Sequence, residues 1–372
     1  MFLLPGLVIT LYITNTPYPE GYKSEMIRYV CNRAHKSDGG WGIHIEGVST
    51  VFGTALNYVA LRLLGLSADH PVCVKARNTL WNLGGATGVP AWGKFWLAIL
   101  NVYEWAGNTS LPPELWLLPE ILPIHPGRMW CHTRLVYLPM GYLYGIKFQA
   151  ELTPLILSLR EELYPTPYNN IHWPSMASHV APVDIYYPVT RILNFINSAL
   201  DVYEKLPNSF IRSRALAEAL KQVRAEDENT DYLDIGPVNK VMNMLIVWIV
   251  DGPDSSTFKR HVDRIPDFMW MSSEGMMMNG TNGSQTWDTA FAVQAAVESG
   301  LAHDPEFHDM MKGCHSFLDD MQMRENPVYF EGYYRQATKG AWPFSTRDQS
   351  YTVSDCTAEA MKSVMLIQEK LP

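Results

Sequence analysis

The sequence has 372 residues, with 29 Lys and Arg against 38 Asp and Glu and a formal net charge of −9. It carries 12 Trp, 19 Tyr and 13 Phe while only 18% of residues are charged. That excludes a disordered chain, which is rich in charge and poor in aromatic rings, and a general nucleic-acid binder, which needs a basic surface; at ~150 residues per domain the length suits about two to three domains.

Residues 2–13 are almost all apolar. The run is short of the ~20 residues that cross a bilayer. It lacks the basic start and small-residue cleavage site of a signal peptide, so it predicts a buried helix. Pro5 and Gly6 inside it suggest an N-terminus cut within a larger structure. Phe52, Ala55, Leu56, Val59, Ala60, Leu63 and Leu64 then recur on one face of a helix, and Gly65 ends it. Helical periodicity returns at about 94–105, 187–204, 211–223, 238–250 and 305–323, separated by Pro and Gly. Period-2 alternation rarely lasts beyond ~4 residues, so the fold class is all-α. The acidic, apolar-poor stretch 225–234 (AEDENTDYLD) places a boundary near 235 and divides the chain into 1–235 and 236–372.

Three segments share one plan, a Gly-rich turn with an aromatic followed by a helix that begins around Thr-Ala. They are Gly39-Gly40-Trp41-Gly42 with Gly53-Thr54-Ala55, then Gly283 to Ala290 (GSQTWDTA), then Gly340-Ala341-Trp342 with Asp355-Cys356-Thr357-Ala358. A repeated helix pair of this kind closes naturally into an α/α toroid. The segment 287–297 (WDTAFAVQAAV), apolar nearly all round, reads as one of its inner helices.

No phosphate-binding glycine loop, HExxH or GxSxG motif is present. Cys31, Cys73, Cys131, Cys314 and Cys356 are odd in number and far apart, which fits neither a zinc ribbon nor a disulfide framework and leaves free thiols in a reducing compartment. His303, His308 and His315 read as surface histidines, and no metal site is expected. Asp355 sits at the mouth of a helix, where it is either an N-cap or an acid with a thiol beside it.

Together these segments resemble the triterpene cyclases, in particular the oxidosqualene cyclase branch, over essentially the whole chain. The resemblance rests on DGGWGIHIE (38–46), STVFGTALNY (49–58), WGKFWLAILNVY (92–103), MWCHTRLVYLPM (129–140), GTNGSQTWDTAFA (280–292) and VSDCTAEA (353–360). QATKGAW (336–342) matches the family's repeated Gln-x3-Gly-x-Trp motif; DGGWG has His35 where Gln is expected. Ser354-Asp355-Cys356 stands where squalene-using relatives carry Asp-x-Asp-Asp. An epoxide is more basic than an alkene, so one carboxylic acid with hydrogen-bonding neighbours can protonate it.

The resemblance implies a lipid substrate, (3S)-2,3-oxidosqualene, and a tetracyclic sterol precursor of the lanosterol type. Asp355 is the implied general acid, present as the neutral form that apolar burial favours, and Cys356 its hydrogen-bonding partner. Trp92, Trp287 and Phe344 are the implied cavity aromatics, which stabilise a migrating cation without taking its proton. His132 is implied in late cation steering and the final deprotonation. Thr281 fits the lanosterol-forming members, whereas cycloartenol-forming ones generally have Tyr there. Val136, Tyr137 and Val238 match positions at the substrate entrance or cavity wall. No metal or organic cofactor is implied, because the substrate carries its own leaving group.

Family members are about twice this length and hold two α/α barrels. By that comparison 1–235 is a nearly complete inserted barrel and 236–372 the first part of the catalytic one, so this chain alone is expected to leave the cavity unclosed. The resemblance also implies a monomer held monotopically on the endoplasmic reticulum membrane or a lipid droplet. Residues 135–146 (LVYLPMGYLYGI) either dip into one leaflet or form a buried helix. Two other readings of the residues stay open: another toroid enzyme such as a glycoside hydrolase, with Asp288, Asp355 and Glu359 as its carboxylates, and a non-catalytic membrane-associated scaffold.

Overall fold

The computed structural model describes residues 2–206 and 209–370. Helices α1 (Leu3–Ile13), α2 (Tyr22–Asn32) and α3 (Val51–Leu63) open the chain. The apolar start does form a buried helix, covered over residues 4–11. Thr50 caps α3 by accepting from Gly53 N at 3.0 Å, and Gly65 follows its end at φ +93°, the left-handed conformation in which a Cβ is disfavoured. α4 (Pro71–Asn82), α5 (Ala91–Ile99), α6 (Cys131–Gly145), α7 (Pro154–Glu162) and a short α8 (Trp173–Met176) continue the chain, with α4, α5 and α7 packed on α3. α9 (Arg191–Glu204), α10 (Ser209–Asn229), α11 (Pro237–Asp251) and α12 (Ser256–Asp263) follow, with α11 packed on α1, α6 and α12.

Several boundaries differ from expectation. The helix expected over 94–105 stops at Ile99, because Asn101 turns left-handed at φ +66° and its amide donates to Ala150 O at 2.8 Å. The helix expected from 187 starts at Arg191, after Pro188 biases its predecessor to an extended backbone and Thr190 supplies a cap to Leu193 N. The acidic stretch 225–234 is largely buried. α10 runs through to Asn229, and Glu226, Asp227 and Asp234 are buried. One continuous apolar core reaches from Leu4 to Met278.

The all-α reading holds for the bulk of the chain, with a correction. Strands β1 (Met269–Ser272) and β2 (Gly275–Met278) form an antiparallel hairpin in which Met269 faces Met278 and Ser272 faces Gly275. Its turn carbonyls are taken by α2: Arg28 donates to Ser273 O at 2.7 Å and Asn32 to Glu274 O at 3.0 Å. A methionine run carries no strand signal of its own, and these tertiary bonds supply what propensity does not.

α13 (Gln285–Glu298), α14 (His308–Met321) and α15 (Ser354–Lys370) pack against one another around Val293, Val297, Met311 and Ile367, with Leu318, Trp342 and Ala360 as a second small cluster. Only one stripe of α13 is buried, so it is not apolar-packed all round as expected; Phe291 on its other side is 43% exposed.

The first and third repeats are built alike. The Trp41 indole donates to Val30 O in the last turn of α2 at 2.9 Å, and the Trp342 indole to Leu318 O in the last turn of α14 at 2.7 Å. Trp41 N donates to Thr54 Oγ1 at 3.1 Å, and Trp342 N to Thr357 Oγ1 at 3.0 Å. Each turn thus ties the end of one helix to the start of the next. At Gly53 a Cβ would collide with the Trp41 carbonyl, so the close approach requires glycine. The second segment differs: Trp287 lies inside α13 and its backbone N–H donates to Phe344 O at 3.3 Å.

Candidate active site

The acid motif opens α15. Asp355 is exposed while the next residue, Cys356, is fully buried, one turn before the equally buried Ala360. Burial pushes the Cys356 thiol up to about 11, and the adjacent Asp355 charge adds to this, so the sulfur keeps its proton. The expected apolar burial of Asp355 is not formed by the described residues, because α15 turns its first-turn carboxyl outward. The other carboxylates of the motif region are engaged. Asp288 accepts from Ser284 Oγ at 2.6 Å, and Glu359 from Gln294 Nε2 at 2.7 Å, which bridges α13 to α15.

Trp287 and Phe344 come together, with ring centroids 5.6 Å apart and planes 24° from parallel. Thr286 fixes the stack, since its N–H and its hydroxyl both donate to Ser345 O, at 3.2 and 2.5 Å. Phe291 adds an edge 4.7 Å from Trp287. Phe344 is 38% exposed, so the aromatic faces look outward from α13.

His132 stands in the first turn of α6. Its Nε2 lies 3.1 Å from the Asn282 amide, and its ring is 4.7 Å from that of Trp130. Burial lowers its pKa, opposed in part by the Glu226 charge, which keeps the imidazole neutral near neutral pH. Beside Asn282, the Thr281 hydroxyl accepts from Gln349 Nε2 at 2.7 Å. A line of contacts therefore runs from His132 through residues 281–282 to the loop that carries Phe344. Asn282 and Gln349 were not singled out from the sequence; their signal is proximity to motif residues, which assigns no role.

Trp92 and Tyr137 belong to a different place. They meet edge to face at 6.5 Å in a cavity of about 450 Å³ that Phe95, Met140, Leu193 and Leu200 also line. Val136 and Val238 are half-buried against the main core. Lys94 on the cavity wall is 1% exposed, and its ammonium donates to the carbonyls of Met176 (2.5 Å), Ala177 (3.0 Å) and His179 (2.8 Å). Burial lowers its pKa to about 8. The only trace of it in the sequence is a lysine inside the apolar run Trp92-Gly93-Lys94-Phe95-Trp96.

Residues 135–146 do not form an outward-facing dip. Leu135, Leu138, Met140 and Leu143 are buried in the core. Exposed apolar residues do stand on α9, which buries none of its residues and leaves Ile192 73% and Phe195 75% exposed. No helix among the described residues is long and apolar enough to cross a membrane.

One donor set has the composition of a metal site: Asp227, Asp234 and His261 each offer an atom, all within 4.8 Å of one another. The Lys240 ammonium already stands among them, 3.0 Å from His261 Nδ1 and 3.9 Å from Asp234 Oδ2. That cation supplies the positive charge two buried carboxyls need.

Residues 7–274 match the squalene-hopene cyclase N-terminal domain. The chain is 58% identical over 369 residues to the lanosterol synthase of Pneumocystis carinii, covering 99% of this chain and 51% of that protein. It is 50% identical over 372 residues to the human lanosterol synthase, covering 100% of this chain and 51% of that protein. It is 51% identical over 368 residues to the cycloartenol synthase of Dictyostelium discoideum, covering 99% and 52%. The chain thus spans about half the length of the curated relatives it matches.

Proposed function

This chain belongs to the squalene-hopene cyclase N-terminal domain family, and from that premise we propose that it carries the acid end of an oxidosqualene cyclase acting in sterol biosynthesis. In this reading Asp355 gives its proton to the epoxide oxygen of (3S)-2,3-oxidosqualene, the C–O bond breaks, and the resulting cation is drawn through the polyene to a lanosterol-type tetracycle. The observation that carries it is the free Asp355 carboxyl at the head of α15, with the open Trp287–Phe344 stack on the helix packed beside it. Rings hold a cation by their faces and offer it no base, worth about 0.5–2 kcal/mol each. The protonated Cys356 thiol adds no competing negative charge next to the acid. A neutral His132 is able to take the proton released at the end, and Thr281 rather than Tyr favours lanosterol over cycloartenol.

The paired Trp-turn repeats support an α/α barrel architecture, with 1–235 forming the inserted barrel and 236–372 opening the catalytic one. The cavity lined by Trp92 and Tyr137 is the substrate entrance in this reading, with Val136 and Val238 on the wall beyond it. The apolar face of α9 lies over that cavity and supports monotopic attachment of a monomer to the endoplasmic reticulum membrane or a lipid droplet. Glu359 and Asp288 already hold hydrogen-bond partners, which weighs against a glycosidase pair.

The test is Asp355→Asn in protein expressed from the complete reading frame, given labelled oxidosqualene and followed by chromatography of cyclised products. Turnover is expected to fall at least ~100-fold, the usual scale for loss of a general acid. A variant that cyclises at the parent rate sinks the proposal.

A further inference from the structure

The corner between α10 and α11 holds three non-glycine residues in the left-handed region: Asp231 at φ +48°, Tyr232 at +60° and Asp234 at +64°. Such backbone persists only where its surroundings over-determine it. Here they do. Lys240 Nζ donates to Tyr232 O at 2.5 Å, Asp234 N to Thr230 Oγ1 at 3.0 Å, and Ile235 N to Glu226 Oε1 at 3.1 Å. The other oxygen of Glu226 is held by the buried guanidinium of Arg335. Asn243 Nδ2 clips both carboxyls at once, Asp227 at 2.9 Å and Asp234 at 3.1 Å. His261 from α12 closes the cluster, with Nε2 3.4 Å from Asp227 and Nδ1 3.6 Å from Asp234. Asp227, Asp234, Lys240, Asn243 and His261 are each no more than 2% exposed.

The cluster has two carboxyls and one ammonium. In a dry interior the surplus charge is relieved by keeping one proton between the carboxyls, and burial raises both of them. The corner it holds delivers Gly236, where a Cβ would stand 3.9 Å from His132 Nδ1, and two residues on it delivers Val238. No part of the proposed chemistry uses these ionisable groups.

We propose that Asp227, Asp234, Lys240 and His261 are positioning residues: a buried hydrogen-bonded cluster that fixes the left-handed 231–234 corner and so sets the wall against which His132 takes the final proton. This rests on the reading of His132 given above. The prediction is that the cluster governs where the cation loses its proton, and not whether the epoxide opens.

The experiment uses protein from the complete reading frame with Lys240→Met, Asp234→Asn and the double variant. Two readouts are followed, hydrogen exchange at the amides of residues 235–236 and the ratio of deprotonation products from oxidosqualene. Asp234→Asn retains an oxygen for Asn243 and leaves Lys240 bonded to Tyr232 O, so both readouts stay within about twofold of the parent. Lys240→Met removes the tether to Tyr232, so exchange at 235–236 rises about tenfold and the product ratio shifts about tenfold, the rate factor of one lost hydrogen bond. The double variant keeps both Lys240→Met effects, because Asp234→Asn restores no bond to Tyr232 O.

Unchanged exchange in Lys240→Met overturns the proposal, and so does a double variant whose product ratio returns to that of the parent. Stoichiometric zinc held by the parent and lost on His261→Ala overturns it as well, since the cluster is then a metal site. If the parent cyclises nothing, the functional reading fails, and hydrogen exchange alone decides whether the cluster holds the corner.

Discussion

Thr54→Val is the sharpest test of how the Trp turns hold the helices. The Thr54 hydroxyl accepts from Trp41 N at 3.1 Å and lies 3.3 Å from Trp41 O, and both residues are fully buried. Valine has nearly the same shape, so no cavity opens, but a buried N–H loses its acceptor where water cannot replace it. Such an orphan costs about 1–3 kcal/mol, offset by less than ~1 kcal/mol from the added methyl. The net loss is therefore about 1–2 kcal/mol. Thr357→Val makes the same change at the third repeat. There Thr357 is only half-buried, and its hydroxyl also bonds Val353 O at 2.8 Å. Water reaches the freed groups, and the loss falls to about 0.5–1 kcal/mol. Urea unfolding of the two variants and the parent reads the difference as a shift in midpoint at constant slope. Equal losses at the two sites, or none at Thr54, would refute the claim that the turn is held through this hydroxyl and that burial sets its worth.

Three further outcomes follow from buried or exposed groups. Lys94 titrates near 8 when folded and near ~10.4 when unfolded, so the unfolded chain binds more protons between these values and stability rises with pH across them. The parent should gain about 3 kcal/mol relative to Lys94→Met between pH 8 and pH 10.5, measured by denaturant titration; a gap that does not move with pH contradicts the buried ammonium. Arg335→Leu strands the Glu226 carboxylate, which is 2% exposed, and should cost about 3–5 kcal/mol, while Glu226→Gln with Arg335→Met costs much less, as paired thermal melts would show. Ile192→Glu with Phe195→Glu should abolish flotation with phosphatidylcholine vesicles while leaving the thermal midpoint within a degree or so, since neither side chain is buried; unchanged flotation means that α9 is not the membrane contact.

What was legible in the sequence was what neighbouring residues decide. The period of Phe52 to Leu64 and the glycine after it fix α3 locally, and the turn repeats were visible because Trp, Gly and Thr must all be present within one short stretch to make those bonds. The hairpin was not visible, because its methionines have no strand preference and the residues that hold its turn, Arg28 and Asn32, are more than 240 positions away. The burial of the acidic stretch 225–234 was not visible for a related reason. Composition counts charges but not their partners, and here the partners are Arg335, Lys240, Asn243 and His261 from other elements. The residues of 135–146 are as apolar as a membrane contact would be, and only tertiary packing decides that this face turns inward.

The proposed site divides into an acid face on α13 and α15 and an apolar cavity beside α5, and α6 joins the two. His132 lies in its first turn, and Tyr137, on the cavity wall, lies five residues on, about 7.5 Å along the axis at 1.5 Å per residue. In the proposed reading one helix carries both the group that takes the final proton and a ring at the entrance. Pro139 sits two residues after Tyr137 inside this helix and frees the Leu135 carbonyl from its usual partner, which makes α6 locally easier to bend between its His132 end and its buried C-terminal half. The end that has to keep register with the acid face is tied down separately, by Asn282 on His132 and by Arg134, which donates to Met129 O at 3.2 Å and to Tyr334 O at 3.3 Å. In the proposed reading, the looser backbone at Pro139 lets the cavity end of α6 admit a long apolar substrate past Tyr137, while these bonds hold His132 at the point assigned to the final deprotonation.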